Sequence, residues 1–478
     1  MTIWEAKAIE RKNFREAARL HSHLFGIKNT LDSPDFLKKY GIFIPSDKPL
    51  PQGYLKLWPQ DFIVEEITPD GEWTNVFPDK FMHKKRDYLP EDPVLYATLV
   101  KCGLSTIEAV GELAQKLRIK PEDVETKIKL AGIKDKHAIT SQLISLKGVD
   151  IEKLYDASSE YFFIKNVFSS KRELFLGGLR ANQFTILVRT SANFKKDEFL
   201  ARLAKVQKSG FYNYYYLQRF GIPRLTNALS GLLILKGDYE SAVKAAFCFP
   251  GERESLYFSQ MRKDIEKLWG NWEEIAQIIE FFPATFQDEL QMTGYLVEHP
   301  NDFVGALNQI PRVTQLWLTS FTALLFNQML SFHLKEGKVP PKTIPLVLEK
   351  DPKTWRLYEK FLKPLELFSQ TFVLKNVEPF PFINPRKREQ KTVEHAQVLN
   401  YTIVPEGAVI NFVLPKGCYA TTFLSHMFTL ASGTMPPKFS GIPIDTKASL
   451  KLPSLEEVLN KFIDVVKEPS WRFLWRIY

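Results

Sequence analysis

Two segments of the sequence concentrate side chains that could take part in chemistry. The first is AGIKDKHAITSQ at 131–142, where Asp135 is flanked by three basic residues, Lys134, Lys136 and His137. Neighbouring positive charge favours the ionised carboxylate, which a nucleophile or a general base requires. We expect Gly132 to end a helix and a strand to begin near Gln142, so Asp135 would lie in a loop, where functional residues are often found. A solvated charged turn is the alternative.

The second segment is the aromatic run FYNYYYLQRFG at 211–221, which contains Asn213 and ends in Gln218 and Arg219. Aromatic rings beside an amide and a guanidinium are what a pocket needs to stack a nucleobase and to hydrogen-bond to its edge. A buried strand that packs through alternate tyrosines is the alternative. A third segment, LPKGCYATTF at 414–423, places a lysine and a glycine after a strand, and a plain turn explains it nearly as well.

Composition narrows the class of protein. A chain of 478 residues is too long for one ordinary core and predicts two domains, and its net charge of +9 favours a polyanionic partner. The three cysteines and the scattered histidines have no spacing that suits a disulfide framework or a metal site, so no metal is expected. The Walker A, G-x-G-x-x-G, H-E-x-x-H and G-x-S-x-G motifs are absent from the sequence, which excludes their usual chemistries.

The sequence also favours a cytoplasmic protein that is not bound to a membrane. No apolar run reaches the length of a membrane-spanning helix, and the first twenty or so residues lack the apolar stretch of a secretory signal. We expect a monomer, because no self-complementary exposed stripe is evident apart from a helix near the C-terminus.

Alternation of strands and helices predicts a mixed α/β unit in the first half of the chain. The segments DFIVEEI at 61–67, QLISLKG at 142–148 and NQFTILVR at 182–189 read as strands, the last half-buried through Phe184, Ile186 and Val188. Between the first two, a helix should begin with a capping box and bury one apolar stripe. The capping residues are Ser105 and Glu108, and the stripe is Ile107, Val110, Leu113 and Leu117.

Helical patterns dominate from about 237 to 378, and a strand pattern returns in VINFVLP at 409–415. If that strand completes the first sheet, the helical region is an insertion into one discontinuous domain. The predicted division is an N-terminal extension at 1–48, a first unit at 49–236 and 379–430, a helical insertion at 237–378, and a C-terminal extension at 431–478. In the last extension, residues 454–469 read as one helix with a capping box, Ser454 and Glu457.

In order and in residues, these segments resemble the TruD family of tRNA pseudouridine synthases. AGIKDKHAIT resembles the signature loop, whose aspartate is catalytic in the family, and it falls on Asp135. NYYYLQRFG resembles the stretch that places Asn213 at an amide contacting that aspartate and Tyr215 at a ring stacking on the target base. PQGYLKLWPQDFIVEE resembles the opening strand, with Lys56 and Phe62 on active-site positions.

Three further segments agree with the same family, so the resemblance covers roughly residues 50 to 425. They are RELFLGGLRANQFTILVR, LWLTSFTALLFNQML and LPKGCYATTF. Two residues depart from the pattern, since Tyr215 replaces the usual Phe and Tyr216 replaces the following Gly. The bulk of Tyr216 could reshape the loop, so the base pocket is where the departures matter.

The resemblance implies an α+β fold, in which a pseudouridine-synthase catalytic domain on an antiparallel or mixed sheet is interrupted by a mostly helical insertion. It implies an isomerase that detaches uracil from C1′ of a uridine and rejoins it through C5, without a cofactor. The substrate would be tRNA, at the D-stem region (the position-13 type). Asp135 would either attack C1′ or take a proton from C2′. Phe62 would stack on the base beside Tyr215, and Lys56 and Arg219 would orient Asp135 or bind phosphates.

Three other functions compete with this interpretation. One is an RNA-binding protein or RNA chaperone that has the fold without the catalysis, and another is a synthase that modifies a broader set of RNAs. A glycoside hydrolase also works at an anomeric carbon, but it usually needs two carboxylates, and the segment around Asp135 offers no convincing second one.

Overall fold

A mixed sheet of eleven strands forms the centre of the part of the chain that the structure describes. The computed structural model describes residues 3–26, 29–78, 92–348, 351–383 and 388–469. The strands are β1 Thr30–Leu31, β2 Gln52–Tyr54, β3 Phe62–Ile67, β4 Val94–Cys102, β5 Ile128–Leu130, β6 Ile139–Lys147, β7 Phe162–Ser170, β8 Ala181–Arg189, β9 Phe211–Tyr212, β10 Thr343–Pro345, β11 Glu389–Lys391, β12 Val393–Glu394, β13 Gln397–Val404, β14 Gly407–Pro415 and β15 Thr429–Ser432.

The helices frame this sheet and fill the region between β9 and β10. They are α1 Ile3–Leu20, α2 Pro34–Lys38, α3 Thr106–Lys116, α4 Val124–Lys127, α5 Ile151–Asp156, α6 Lys196–Ser209, α7 Asn227–Lys236, α8 Tyr239–Cys248, α9 Leu256–Lys267, α10 Trp272–Ile279, α11 Gln287–Glu298, α12 Phe303–Gln309, α13 Pro311–Lys335, α14 Pro352–Leu362, α15 Gln370–Val377, α16 Ala420–Ser425, α17 Thr446–Ser449, α18 Glu456–Lys461 and α19 Ile463–Val466. Within the described ranges, no helix is long and apolar enough to cross a membrane.

The sheet order brings the chemically interesting segments to neighbouring strands. The order is β1-β15-β2-β8-β3-β6-β4-β7, with β14 joined to β8, β13 to β14, and β5 to β6. Strands β3 and β6 run parallel, with Ile63 opposite Ile139, so both strands begin at the same edge of the sheet. Strand β14 pairs antiparallel with β8 along its whole length, which confirms that the segment around 409–415 completes the first sheet.

Strand β8 is buried on both faces, not on one as its alternation predicts. Phe184, Ile186 and Val188 face the large core as expected. On the other side, Leu187 packs with Val409 and Leu450 in a separate small cluster. The prediction of a half-buried strand was wrong because the C-terminal extension covers the second face, and local periodicity carries no information about that distant segment.

One hydrophobic cluster runs from the sheet into the helical region without a break. It includes Phe184 and Ile186 from the sheet together with Leu318 and Phe326 from α13. Helices α7 and α13 approach closely at Gly231, where an added Cβ atom would lie 2.2 Å from the carbonyl oxygen of Trp317. A side chain at this position would push the two helices apart.

Helix α3 begins as predicted, and its buried face is slightly rotated. The Ser105 hydroxyl accepts a hydrogen bond from the amide of Glu108, whose carboxylate accepts one from the amide of Ser105, so the capping box is confirmed. Val110 and Leu113 are buried, whereas Ile107 is exposed. The predicted stripe was wrong at Ile107 because the first turn faces the core through Thr106 and Ala109 instead.

The predicted C-terminal helix is two short helices, α18 and α19, interrupted at Phe462. Ser454 is not the N-cap of a capping box, because its hydroxyl donates to Asp445, whose carboxylate accepts from the amide of Leu455. The apolar stripe still docks, since Leu455 and Phe462 pack against strands β3, β4 and β6. Residues 470–478 of the same extension lie outside the described ranges.

Candidate active site

A carboxylate and an ammonium meet where strands β3 and β6 begin. The Nζ atom of Lys56 donates a hydrogen bond to Oδ1 of Asp135 at 2.6 Å. The same ammonium lies 4.1 Å from the centroid of the Phe62 ring, which is buried. Burial works to raise the pKa of Asp135, but the charge and hydrogen bond of Lys56 outweigh it, so the pKa lies below its usual value. Asp135 is therefore an ionised carboxylate at neutral pH.

The backbone of Lys56 adopts a conformation that few side chains tolerate. Its φ angle is 59°, in the left-handed region, between the end of β2 and the turn before β3. Such a conformation costs about 1–2 kcal/mol for a residue with a Cβ atom and persists only where the surrounding structure enforces it. Strain of this kind is concentrated at functional sites, and here it directs an ammonium onto Asp135.

The loop that carries Asp135 is held from below by Lys101, which is fully buried. Its Nζ atom donates to the carbonyl oxygen of Asp135 at 2.7 Å and to that of Leu104 at 2.8 Å. Burial lowers the pKa of Lys101 to about 7, although the negative charge of Asp135 opposes this effect. Lys101 fixes the backbone of the catalytic candidate and makes no hydrogen bond to its carboxylate.

Two further polar side chains hold the same loop. The Thr106 hydroxyl accepts from the amide of Lys134 at 2.8 Å and donates to Gln142 at 2.9 Å. The Gln142 side-chain amide in turn donates to the carbonyl oxygen of Gly132 at 3.0 Å. The prediction that Gly132 ends a helix was wrong, because it follows strand β5, and β6 begins at Ile139, earlier than expected. Asp135 does lie in the connecting loop.

The basic residues on either side of Asp135 point elsewhere. Lys134 forms an ion pair with Glu66 at 2.7 Å, and Lys136 forms one with Glu108 at 2.9 Å. Burial, followed by the nearby lysines, lowers the pKa of His137 to about 3, so its ring is neutral. The cation on the carboxylate is Lys56, which is 79 positions earlier in the chain. The charge therefore comes from Lys56, which the resemblance gave as a residue that would orient Asp135, and not from the flanking lysines.

The aromatic segment forms a second group, around Tyr215. Its ring lies edge-on to Tyr419, with centroids 6.4 Å apart, and the guanidinium of Arg219 lies 5.7 Å from its centroid. The Tyr215 hydroxyl donates to Gln390 at 3.2 Å. Asn327 of α13 fixes the backbone of Tyr215, because its side chain accepts from the amide and donates to the carbonyl oxygen.

Asn213 is buried beside the strand that follows the helical region. Its side-chain amide donates to the carbonyl oxygen of Lys391 at 3.2 Å, and its backbone amide donates to that of Thr392 at 2.9 Å. In the part of the chain that the structure describes, these hydrogen bonds connect Asn213 to Lys391 and Thr392 and not to Asp135. The contact between Asn213 and Asp135 stays a prediction.

Tyr216, the residue that departs most from the family pattern, does not enter the pocket. Its side chain is buried, and its hydroxyl donates to Asp32 at 2.7 Å. Asp32 also forms an ion pair with Arg253 at 2.6 Å. The neighbouring Tyr214 hydroxyl donates to the carbonyl oxygen of Phe43 at 2.7 Å. The N-terminal segment therefore packs against the aromatic loop and provides the hydrogen-bond acceptors for Tyr214 and Tyr216.

A row of rings connects the two groups across one face of the sheet. Phe62 contacts Phe184 edge-on at 6.2 Å, Phe184 stacks on Phe412 at 5.3 Å, and Phe412 contacts Phe423 at 4.5 Å. Phe423 belongs to α16, which begins directly after Tyr419. The Asp135 group and the Tyr215 group are thus joined through side chains of a single core.

Sequence reasoning missed Lys101, Thr106, Asn327 and Asp32 as parts of the site. For Lys101 a signal existed, since a lysine within the apolar strand VLYATLVKC needs a buried partner. For Asp32 and Asn327 the local sequence offers none, because their partners lie more than 100 positions away.

A cavity of about 550 Å³ is lined mainly by residues 32–50, with Lys335 and Phe428. Its lining includes Asp32 and Phe43, which accept hydrogen bonds from Tyr216 and Tyr214 of the aromatic loop, and none of the predicted site residues. Within the described residues, no three His, Cys, Asp or Glu side chains cluster in a way that could hold a metal ion.

The chain is similar to members of one protein family. Residues 43–345 match the family model described as tRNA pseudouridine synthase D (TruD). The chain is 25% identical over 386 residues to the probable tRNA pseudouridine synthase D 1 of Methanocaldococcus jannaschii, covering 78% of this chain and 94% of that protein. It is 29% identical over 297 residues to the tRNA pseudouridine synthase D of a Geobacter species, covering 61% and 67% of the two chains.

A solved structure shows the same fold. The crystal structure of the putative tRNA pseudouridine synthase D from Methanosarcina mazei superposes with a TM-score of 0.59 at 22% identity. The match covers 82% of this chain and 97% of that one. The mixed α+β architecture is therefore that of this solved protein.

Proposed function

Because the chain belongs to the TruD family of tRNA pseudouridine synthases, we propose that it isomerises uridine in the D-stem region of tRNA, with Asp135 as the single catalytic residue. The observation that carries this proposal is the ion pair between Lys56 and Asp135. It supplies an ionised carboxylate, partly exposed, at the edge of the sheet beside an aromatic cluster.

The reaction needs only one carboxylate. Asp135 either attacks C1′ or takes a proton from C2′, and the bond between N1 and C1′ breaks. The detached uracil turns and forms a bond from C5 to C1′. On the first route this breaks the ester bond between Asp135 and C1′, and on the second route Asp135 returns the proton to C2′. The proton on C5 is lost to solvent, and N1 gains a proton. Both routes require the ionised form of Asp135, which Lys56 favours.

The remaining site residues have supporting roles in this proposal. Tyr215 stacks on the extruded base, and Asn213 borders the pocket. The ring of Phe62 lies under the ammonium of Lys56, so its burial supports a role in positioning Lys56 more than direct stacking. Arg219 lies beside Tyr215 and not beside Asp135, which suits a contact with a phosphate next to the base.

We assign the sheet region, 49–236 with 379–430, to catalysis and the helical region, 237–378, to binding of the tRNA body. Both extensions support the structure through buried side chains. Asp32 of the N-terminal extension accepts a hydrogen bond from Tyr216, and Lys447 belongs to the C-terminal extension. The Lys447 ammonium forms a fully buried ion pair with Glu65 of β3 at 2.7 Å, which fixes the C-terminal extension to the catalytic sheet.

The test compares Asp135→Asn with the matched control Asp197→Asn, a substitution at an exposed position in α6. Wild type and the control should release tritium from tRNA labelled at C5 of uridine and create a carbodiimide-dependent reverse-transcription stop in the D stem. Asp135→Asn should bind the same tRNA and give neither signal. Full activity of Asp135→Asn would overturn the catalytic assignment, and a stop only outside the D stem would overturn the proposed position.

The same assay separates the competing functions. An RNA-binding protein or chaperone without catalysis would bind tRNA and give no stop with wild type. A glycoside hydrolase would release free uracil. A synthase with broader targets would add stops in other RNAs, all of which should disappear with Asp135→Asn.

A further inference from the structure

Three large apolar side chains next to the catalytic loop are exposed. They are Ile133 at 66%, Phe175 at 69% and Leu176 at 80%, and we call them the apolar edge. Ile133 is two positions before Asp135, and the other two lie in the turn between β7 and β8. Contiguous exposed apolar side chains of this size usually mark a binding surface.

The two parts of the apolar edge are fastened to each other. The amide of Gly177 donates to the carbonyl oxygen of Ala131 at 2.7 Å, which joins the turn to the catalytic loop. Lys416, directly after β14, donates to the carbonyl oxygen of Gly177 at 3.0 Å. The turn that carries Phe175 and Leu176 is therefore connected by hydrogen bonds to the Asp135 loop and to the end of β14.

The backbone of the turn is tightly folded. Gly177 has a φ angle of 83°, a conformation that glycine adopts without strain. The amide of Gly178 donates to the carbonyl oxygen of Phe175 at 2.8 Å, and a Cβ atom on Gly178 would lie 3.5 Å from the ring of Phe175. The ring of Phe175 therefore lies against the backbone of Gly178, and less backbone has to be ordered when the turn makes a contact.

The charge around the apolar edge fits a nucleic acid. Four exposed cations belong to or adjoin the turn: Lys171, Arg172 and Arg180 flank it in the chain, and Lys416 donates to Gly177 within it. The acidic Glu173 in the same turn is paired with Lys147 at 3.6 Å. A small apolar surface flanked by cations matches a nucleobase with its flanking phosphates, since bases stack on apolar and aromatic side chains and phosphates attract lysine and arginine.

We propose that the apolar edge contacts the nucleotide next to the target uridine and stabilises the opening that the uridine leaves when it is extruded. This inference rests on the proposed function. An enzyme that works on C1′ of a stacked nucleotide must hold that nucleotide out of the stack, and inserted apolar side chains are a general means of doing so. The edge lies where this contact is needed, on the rim of the Asp135 loop.

The experiment uses Phe175→Ser with Leu176→Ser, whose exposure should leave the fold intact. The control is Leu20→Ser with Ile442→Ser, two comparably exposed apolar residues in the N- and C-terminal extensions, outside both the sheet region and the helical region. Single-turnover tritium release is measured on folded tRNA and on a short single-stranded RNA that contains the same uridine. We expect the edge variant to be about 10- to 100-fold slower on folded tRNA and unchanged on the single strand, where no stack needs to be opened.

A second readout does not depend on product. In an Asp135→Asn background, tRNA with 2-aminopurine beside the target uridine should fluoresce more strongly on binding, and the edge substitutions should remove that increase. Equal loss of rate on both RNAs, or no loss on folded tRNA, would overturn the proposal, and the latter would favour a protein partner for this surface. If wild type formed no pseudouridine, the proposed function would fail, while the fluorescence change would still decide whether the apolar edge opens the stack.

Discussion

Replacement of Lys56 by Met tests how the site keeps Asp135 ionised. The substitution retains the length and apolar stem of the side chain and removes the ammonium that lies 2.6 Å from Oδ1 of Asp135. Lys56 is the strongest of the groups that lower the pKa of Asp135, so the pKa rises without this cation. The carboxylate is then protonated at a higher pH, so activity on the acid side should be lost earlier as the pH falls.

The size of the effect follows from the geometry. Two unit charges 4 Å apart near a protein surface interact by about 4 kcal/mol. The Asp135 side chain is 41% exposed, so solvent screening reduces this to about 2 kcal/mol, the range of a charged hydrogen bond. Loss of an interaction of this size should raise the pKa of Asp135 and move the acid limb of the rate profile to higher pH.

The assay is single-turnover tritium release from tRNA between about pH 3.5 and about pH 7, a window that includes the usual pKa of an aspartate. The matched control is Lys136→Met, which removes an equal charge next to Asp135 in the chain, where the ammonium contacts Glu108 at 2.9 Å. The control profile should coincide with that of wild type. The reasoning is refuted if the Lys56→Met profile also coincides with wild type, or if Lys136→Met moves the acid limb by the same amount.

Two further predictions concern stability, measured by urea unfolding. Gly231→Ala should destabilise the protein by about 1–3 kcal/mol, because its Cβ atom would meet the carbonyl oxygen of Trp317. Gly294→Ala, which is also in a helix but has open space around it, should stabilise the protein by about 0.5–1 kcal/mol. Stability changes of the same sign would contradict this reasoning. Asp32→Ala should cost about 3–5 kcal/mol in wild type and less in a Tyr216→Phe background, because the phenol then needs no acceptor; strictly additive costs would show that the two side chains are not coupled.

Much of the local structure could be predicted from the sequence because it depends on neighbouring residues. Strand β3 follows from a short, bounded, β-branched segment, and the cap at Ser105 follows from a four-residue pattern. The loop position of Asp135 follows from the cluster of charged residues around it. Errors arose where a distant segment decides the outcome. Strand β8 is buried on both faces because residues near Leu450 cover it, and the C-terminal helix breaks at Phe462 where it meets the sheet.

The candidate site shows the same limit. Asp135, Tyr215 and Lys56 could be named from residue type and resemblance, but the pairing of Lys56 with Asp135 joins residues 79 positions apart and depends on a left-handed backbone at Lys56. The role of Asp32 could not be predicted, because its partners Tyr216 and Arg253 become its neighbours only in the folded chain.

Asn327 and Ser320 of helix α13 support the aromatic loop, although this helix lies within the helical insertion. By sequence the helix belongs to the insertion, yet Asn327 holds the backbone of Tyr215 and Ser320 donates to the carbonyl oxygen of Arg219 at 2.7 Å. If the roles proposed above hold, exchanging the insertion between relatives would replace a wall of the proposed base pocket along with the proposed RNA-binding surface. Substrate choice and catalytic competence would then be inherited together, and a chimaera would have to keep α13 with the aromatic loop that it supports.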